Sequence, residues 1–336
     1  MPRSKKALIL GQGRIAGAVA YYLKKNNPSW RVSYLSSDRE VRNADILIGA
    51  LAGALGEKGL GLALKYRKNL IDISDLDPPF YLRRKKEIEK SGITVLPGCG
   101  FSPGLVNLIL GRELSSREGI KEIEIKAGSL SPRKLFFPFL WCFEDLALEH
   151  QIPSWQTLAG KKRKFPAFAG YKKEKFFGIE AESYYCASGF ENILDKIKLK
   201  NFSCRVLRPL GFGEFFGFLK NEGFLSQENQ AFTKKVVEAN AEDNITLAQI
   251  NISAKDRKVR WLIKACSKKN EALNSMQKIT AAPAAAMAGF LVSGRIKKAG
   301  LLFMEDIGGD EAVFKNFLSA IKDIVAAHCA ATTHGL

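Results

Sequence analysis

The 336-residue chain has only three histidines, His150, His328 and His334, too few for a His-rich metal centre. Its six cysteines, Cys99, Cys142, Cys186, Cys204, Cys266 and Cys329, lie far apart and form no CxxC pair or Cys/His cluster. In a chain of this length that pattern leaves no metal site to expect and reads as scattered, reduced core thiols in a cytoplasmic protein. No apolar run reaches the roughly 18 residues that a bilayer span requires. The first such run, Ala7 to Leu10, stops at Gly11, so neither a membrane span nor a secretory signal is expected. Acidic residues are also scarce: 34 Asp and Glu stand against 52 Lys and Arg, a formal net charge of +18.

What is present describes a globular chain long enough for two domains, 46% hydrophobic and 26% charged. The cations come in short groups, Arg83-Arg84-Lys85-Lys86, Lys161-Lys162-Arg163-Lys164 and Lys172-Lys173, with no zinc-finger or RNA-binding signature beside them. Solvated basic faces are therefore expected, and no nucleic-acid partner. Steering of anionic ligands is the functional alternative.

The first third alternates short apolar runs with amphipathic stretches, the pattern of a parallel sheet. Strands are expected at Lys6–Leu10, Arg31–Leu35, Asp45–Gly49, Asn69–Ile73 and Ile93–Leu96. Helices are expected at Arg14–Lys25, around Gly59–Arg67, and from Pro78-Pro79 through Lys90. After Pro103 the texture changes, and Lys121–Lys126 alternates as Lys-Glu-Ile-Glu-Ile-Lys, the period-two signature of a sheet with one wet face. Further strands are expected at Glu182–Ala187, Ser203–Leu207, Ile245–Ile252 and Val259–Ala265. Helices are expected near Glu144–His150, Gln227–Ala239, Ala281–Ser293 and Glu311–Ala327, with a frayed tail from Ala331 to Leu336. The fold class is α/β: a Rossmann parallel-sheet domain plus a second α/β (α+β) domain with a mixed, mostly antiparallel sheet.

Gly11-Gln12-Gly13-Arg14-Ile15-Ala16 follows the first strand and opens the first helix, a GxGxxA run in the context of a dinucleotide site. The first glycine permits a tight turn, the second lets backbone approach a pyrophosphate, and the small third residue permits close helix–strand packing. The helix N-terminus then offers N–H groups to the phosphates. The second strand ends in Ser36-Ser37-Asp38-Arg39. With Ser36 in the place of the ribose-binding acid and Arg39 near a 2′-phosphate, NADP is preferred; a register two residues later gives Asp38 that role and makes NAD the cofactor.

Other candidates sit at the same carboxyl edge of the strands. Asp72 and Ser74 close the fourth strand and are read as ribose or substrate ligands, or as loop caps. Cys99 follows the fifth strand and is read as lining the nicotinamide pocket, or as a small residue in a glycine turn. Asp72 and Cys99 are the candidate catalytic groups. A helix beginning near Pro103-Gly104 would turn its N-terminus toward a substrate carboxylate. Arg133 and Arg208 are candidate carboxylate forks, since a guanidinium binds such groups in a bidentate manner. His150 reads as a surface or core histidine, with proton shuttling as the functional alternative. The aromatic stretch Leu135–Trp141 reads as a dimer contact, with a substrate wall or a membrane-facing patch as alternatives.

Several segments resemble the saccharopine dehydrogenase family in its shorter, reductase-type members. They are Leu70-Ile71-Asp72-Ile73-Ser74-Asp75, then Gly92 through Pro97-Gly98-Cys99-Gly100-Phe101-Ser102-Pro103-Gly104. Late in the chain, Ser275-Met276-Gln277-Lys278-Ile279-Thr280 continues to Gly294, Gly300 and Glu305. The resemblance implies hydride transfer between NAD(P) and a C–N bond of an amino acid, amine or derived imine; the aromatic stretch Leu135–Trp141 adds the expectation of a homodimer. It implies a Rossmann domain over residues 1–103 and a catalytic and dimerisation domain over 104–294. Residues 295–336 would then return to the Rossmann domain. Ser102 stands where the family commonly has Asp, and Phe212 where relatives often carry His, which leaves the substrate undefined. Oxidation of lysine at its 6-amino group, and dinucleotide binding without chemistry, are the alternatives.

Overall fold

Five strands near the N-terminus are β1 (Lys6–Leu10), β2 (Arg31–Tyr34), β3 (Ile46–Gly49), β4 (Leu70–Asp72) and β5 (Thr94–Leu96). A distant sixth, β14 (Gly300–Leu301), joins them in one sheet of order β14-β5-β4-β3-β1-β2, and every pairing is parallel. The crossovers carry α1 (Arg14–Asn26), α2 (Asp38–Asn43), α3 (Gly56–Tyr66), α4 (Pro78–Arg83) and α5 (Lys85–Ser91). Strands covered on both faces read as largely apolar runs, which is why Ala7–Leu10 of β1, Ile46–Ile48 of β3 and Leu70–Ile71 of β4 are Ala, Leu and Ile with almost no exposed surface. Leu8, Leu47, Leu70, Tyr81, Ile88 and Val95 share one buried cluster in this layer. The structure, a computed structural model, describes residues 4–74, 76–131, 142–186, 189–239, 245–255, 257–268 and 271–333.

This sheet belongs to a unit made of Met1–Glu118, Gly189–Ile197 and Gln277–Ile324. It also holds α6 (Leu105–Ser116), α8 (Glu191–Lys196), most of α11 (Ser275–Val292), α12 (Met304–Gly308) and α13 (Glu311–Ile321). Helices α6 and α12 touch through glycine: a Cβ added to Gly111 would lie 2.0 Å from the Glu305 carbonyl oxygen, and one on Gly308 2.0 Å from that of Leu108.

The second unit comprises Gly119–Ser188, Lys198–Met276 and Val325–Leu336. Its strands are β6 (Glu122–Leu130), β7 (Ser154–Leu158), β8 (Lys161–Phe165), β9 (Lys172–Phe176), β10 (Ile179–Tyr185), β11 (Asn201–Pro209), β12 (Ile245–Ser253), β13 (Arg257–Cys266) and β15 (Ala326–Thr333). The sheet runs β15-β13-β12-β6-β11-β10-β9, with the β7–β8 hairpin attached beside β11. Only β6 and β11 pair in parallel, so the sheet is mixed and mostly antiparallel. Helices α7 (Phe143–Glu149), α9 (Phe212–Asn221) and α10 (Gln230–Ala239) complete the unit. Phe143, Leu146, Tyr184, Phe212 and Phe216 form its aromatic core.

The structure departs from the sequence expectations in identifiable places. The last helix stops at Ile321, and residues expected to continue it or to fray form β15 against β13, with Trp261 opposite Cys329. This strand exposes most of its small side chains and is held by backbone hydrogen bonds, so no hydrophobic period announces it. The charged helix after Pro78 breaks at Arg84 into two. Helix α11 begins at Ser275 and runs through Pro283, six residues before the expected start. The units do not follow a cut at residue 103: α6 and most of α11 lie with the parallel sheet, and β15 lies with the mixed one. All six cysteines are free, but Cys266 and Cys329 are exposed rather than in a core. The Lys161–Lys164 group is exposed on β8, and Lys172, Lys173 and Lys175 are exposed on β9, an end strand of the sheet. Lysines on such edges discourage strand pairing between molecules.

The α6–α12 crossing leaves no room for a methyl group. Gly111→Ala should lower the unfolding free energy by roughly 1–3 kcal/mol, as overpacking does, measured by urea denaturation. An unchanged midpoint would show that the two helices separate freely.

Candidate functional site

Between Leu10 and Arg14 the chain makes its whole turn with Gly11, Gln12 and Gly13. Gly11 has φ 140°, and a Cβ there would lie 2.2 Å from the Ala50 carbonyl oxygen, so the turn is pressed against the loop after β3. Gly13 is the opposite case: a Cβ would meet nothing within 4 Å, which leaves its backbone open to a ligand. Gly13 caps α1 without a side-chain hydrogen bond, and the first turn holds no acid. The N–H groups there and the positive end of the helix dipole suit a phosphate. Ala16 is buried against the sheet, whereas Gln12 and Arg14 are exposed and Ile15 is half-buried. Gln277 of α11 donates to the Arg14 carbonyl at 3.2 Å and steadies this turn. The cradle fits a dinucleotide pyrophosphate.

At the end of β2 both acids are engaged. The Glu40 carboxylate accepts from Ser36 through its backbone N–H (2.7 Å) and its hydroxyl (3.0 Å). Asp38 accepts from the Tyr66 hydroxyl and pairs with Lys65 at 2.9 Å. These bonds hold both carboxyls below their ordinary range, chiefly through Tyr66 for Asp38 and the Ser36 N–H for Glu40. Ser36, Ser37 and Arg39 are exposed, and no hydrogen bond or ion pair engages the Arg39 guanidinium among the described residues.

Asp72 and Cys99 face inward. Asp72 accepts from Ser74 through its N–H (2.8 Å) and hydroxyl (2.5 Å) and from the Tyr81 hydroxyl (2.6 Å). Burial raises its pKa, against the pull of those bonds. A Cβ on Gly49 would lie 2.6 Å from Asp72 Oδ1, and one on Gly56 2.4 Å from Ser74 Oγ. The network thus ties β4 to α4 beneath two glycines. The Cys99 thiol donates to Leu96 O at 3.3 Å, and burial pushes its pKa well up. Both Asp72 and Cys99 are 0% exposed, so neither presents an atom to a ligand in this arrangement.

Ser102 and Pro103 are half-buried and joined by a cis peptide bond. Gly104 has φ 136°, and a Cβ on it would lie 2.0 Å from Gly100 O; it leads directly into α6. Asn107 Oδ1 accepts the Gly104 N–H at 3.0 Å. Its Nδ2 reaches Glu305 Oε2 at 3.2 Å and Gly189 O at 3.4 Å, and Asn192 Nδ2 donates to Glu305 Oε1 at 2.6 Å. Asn107 and Glu305 border a small, open pocket walled by Pro97, Gly98, Pro103 and Phe303. Burial pushes the Glu305 carboxyl up, while the Asn192 and Asn107 amides pull it back. Glu305 entered the sequence reading only within a family motif, and Asn107 and Asn192 were missed. A usable signal existed: Asn107 interrupts an otherwise apolar helix start, and buried polar groups need partners.

In the second unit Arg208 is 2% exposed, donates to Leu207 O at 3.1 Å and lies 3.5 Å from Glu149 Oε2. The carboxylate it meets in this unit is Glu149. Phe212 is buried and packs against His150 with ring centroids 5.2 Å apart. His150 is a core residue: Nδ1 is 2.8 Å from Leu146 O, Nε2 is 3.1 Å from the Tyr184 hydroxyl, and burial holds its pKa well down. Donor atoms of Glu149, His150 and Cys186 come within 4.8 Å of one another. A metal there would compete with the Arg208 guanidinium and with both histidine hydrogen bonds. Arg133 and the stretch Leu135–Trp141 lie outside the described residues.

The sequence matches no protein-family model and no curated protein. Among solved structures, apo saccharopine dehydrogenase (L-Glu forming) from Saccharomyces cerevisiae is similar at TM-score 0.75 and 16% identity, covering 99% of this chain and 100% of that one. A UDP-N-acetylglucosamine 3-dehydrogenase from Acidithiobacillus ferrooxidans has TM-score 0.44 and 9% identity, covering 96% and 97% of the two chains. Dipicolinate-bound dihydrodipicolinate reductase from Paenisporosarcina sp. TG-14 has TM-score 0.42 and 9% identity, covering 91% and 100%. The first likeness establishes a shared fold, the one the sequence motifs implied; the other two are too remote to add to it. No helix among the described residues is long and apolar enough to cross a membrane.

The inward-facing network should behave as structure. Tyr81→Phe removes one donor to a buried carboxylate and should lower the unfolding free energy by roughly 1–2 kcal/mol while NADPH affinity stays unchanged. Loss of NADPH affinity at unchanged stability would instead place this network at the ligand.

Proposed function

We propose that the chain is an NAD(P)-dependent oxidoreductase, with NADP preferred, acting at a C–N bond of an amino acid, amine or derived imine. The observation that carries the reading is the Gly11–Gly13 turn. One glycine is locked by the Ala50 carbonyl, the other is open to a ligand, and an uncapped helix N-terminus follows. The fold likeness to saccharopine dehydrogenase supports the same chemistry. A bound nicotinamide dinucleotide supplies the hydride donor or acceptor. The α1 N-terminus would hold its pyrophosphate. Ser36, Ser37 and Arg39 would hold a 2′-phosphate, because Asp38 and Glu40 already have partners and Arg39 is the unengaged charge. The engaged Asp38 is also what disfavours the NAD-linked, lysine-oxidising alternative.

The reading carries further expectations: a cytoplasmic homodimer, dinucleotide binding by the first unit, and a small amino-acid or amine substrate. One observation favours a second reading, dinucleotide binding without chemistry: the proton-handling candidates Asp72 and Cys99 have no exposed surface.

A fluorescence titration of the full chain with NADPH and NADH tests the proposal. NADPH should bind more tightly, and Arg39→Ala should weaken NADPH about tenfold, some 1.4 kcal/mol, with little effect on NADH. Gly13→Val should keep the fold, since its side chain enters open space, yet abolish tight binding of either. No binding to the native chain would overturn the reading. Binding without oxidation of NADPH by any amine plus keto-acid or semialdehyde pair would favour the second.

A further inference from the structure

The first unit contains a carboxylate whose surroundings suit a receptor for a cation. Glu305 stands half-buried at the start of α12, and its oxygens each accept one hydrogen bond from a neutral side-chain amide, Asn192 at 2.6 Å and Asn107 at 3.2 Å. No lysine or arginine among the described residues pairs with it, although the chain has 52 of them. Lys196, one turn beyond Asn192 on α8, pairs with the neighbouring Asp306 at 2.9 Å instead. A carboxylate partly withdrawn from water is stabilised by hydrogen bonds and by opposite charge, and among the described residues only the hydrogen bonds are supplied here.

The geometry also fixes which form the amides serve. Asn107 Oδ1 accepts the Gly104 N–H, so its Nδ2 must face Glu305 and donate to it. A carboxylate has about four lone-pair positions; the side-chain amides occupy one on each oxygen and the Glu305 N–H also donates, which leaves room for a further donor. Glu305 borders the pocket, whose other walls include Pro97, Gly98, Pro103, Phe303 and Met304, none of them charged. Pro97 follows β5 and Phe303 follows β14, so the pocket opens at the carboxyl ends of parallel strands, where such sheets take ligands.

We propose that Glu305, oriented by Asn107 and Asn192, binds a protonated amino group in this pocket, which makes the ligand an amine rather than a compound bearing only carboxylates. The inference rests on the oxidoreductase reading only in calling that ligand a substrate. The ammonium N–H groups would take the remaining carboxylate lone pairs in charge-assisted hydrogen bonds, and the proline and phenylalanine walls would accept its carbon chain.

Calorimetry on the full chain with three probes of equal chain length tests this: cadaverine, 1,5-pentanediol and glutarate. Cadaverine should bind at least about tenfold more tightly than either of the others, and Glu305→Gln should remove most of that preference while leaving NADPH binding unchanged. Equal binding of cadaverine and the diol would overturn the ammonium site and leave the oxidoreductase reading standing. So would an absence of cadaverine binding in protein that binds NADPH, or a Glu305→Gln variant that binds cadaverine as the native chain does. A cadaverine preference in protein that binds no dinucleotide would support the site and sink the oxidoreductase reading. Should Glu305→Gln fail to fold, the comparison of the three probes on the native chain decides the matter.

Discussion

Parallel pairing is the constraint on which the first unit depends. Because all six strands point the same way, the segments after β1, β2, β4, β5 and β14 leave from a single edge of the sheet. The turn at Gly11, the serines at the end of β2, the Asp72 network and the pocket beside Glu305 are each products of that edge. Adding β14 from residue 300 beside β5 brings Glu305 back to α6, a helix that begins nearly two hundred residues earlier. The glycine contacts at Gly111 and Gly308 allow the two helices to come close enough for Asn107 to reach the carboxylate.

Three carboxylates, Asp72 fully buried and Glu149 and Glu305 half-buried, illustrate how desolvation is offset in different ways. Asp72 is stabilised by two hydroxyls and a backbone N–H, and its bonds all lie within the layer it holds together. Glu149 lies beside the Arg208 guanidinium, which lowers a pKa that burial raises. Glu305 has neutral amides alone and borders a pocket. Burial raises all three, so direction of shift does not separate them. What separates them is the company each keeps, and only the last lacks both a hydroxyl network and a cation.

The glycine turn after β1 was legible from residues alone, because the requirements at Gly11, Gly13 and Ala16 are local: a turn, an open backbone and a small packing residue within one strand–helix junction. Strands β1, β3, β4 and β5 were equally plain, since covering both faces demands largely apolar segments, whereas β2 is a mostly exposed edge strand. Asp72 and Cys99 were read at the right edge of the sheet, but whether a loop residue faces a ligand or the interior depends on neighbours such as Gly49 and Gly56, remote in sequence. Arg208 was read as an available fork; its neighbour Glu149 comes from a helix some sixty residues away. Strand β15 escaped because its small, exposed side chains leave no periodic trace and its stability comes from backbone pairing with β13.

By itself the sequence determined the α/β class, the parallel and mixed sheets, and the glycine cradle, since each follows from residue periodicity or from backbone freedom at short range. Tertiary structure alone decided which polar groups turn inward, which charge at the end of β2 is left unengaged, and that Asn107, Asn192 and Glu305 converge. Those outcomes depend on which distant segments come together to remove water from a side chain and which supply its partners, and the order of residues along a strand or helix does not encode that company.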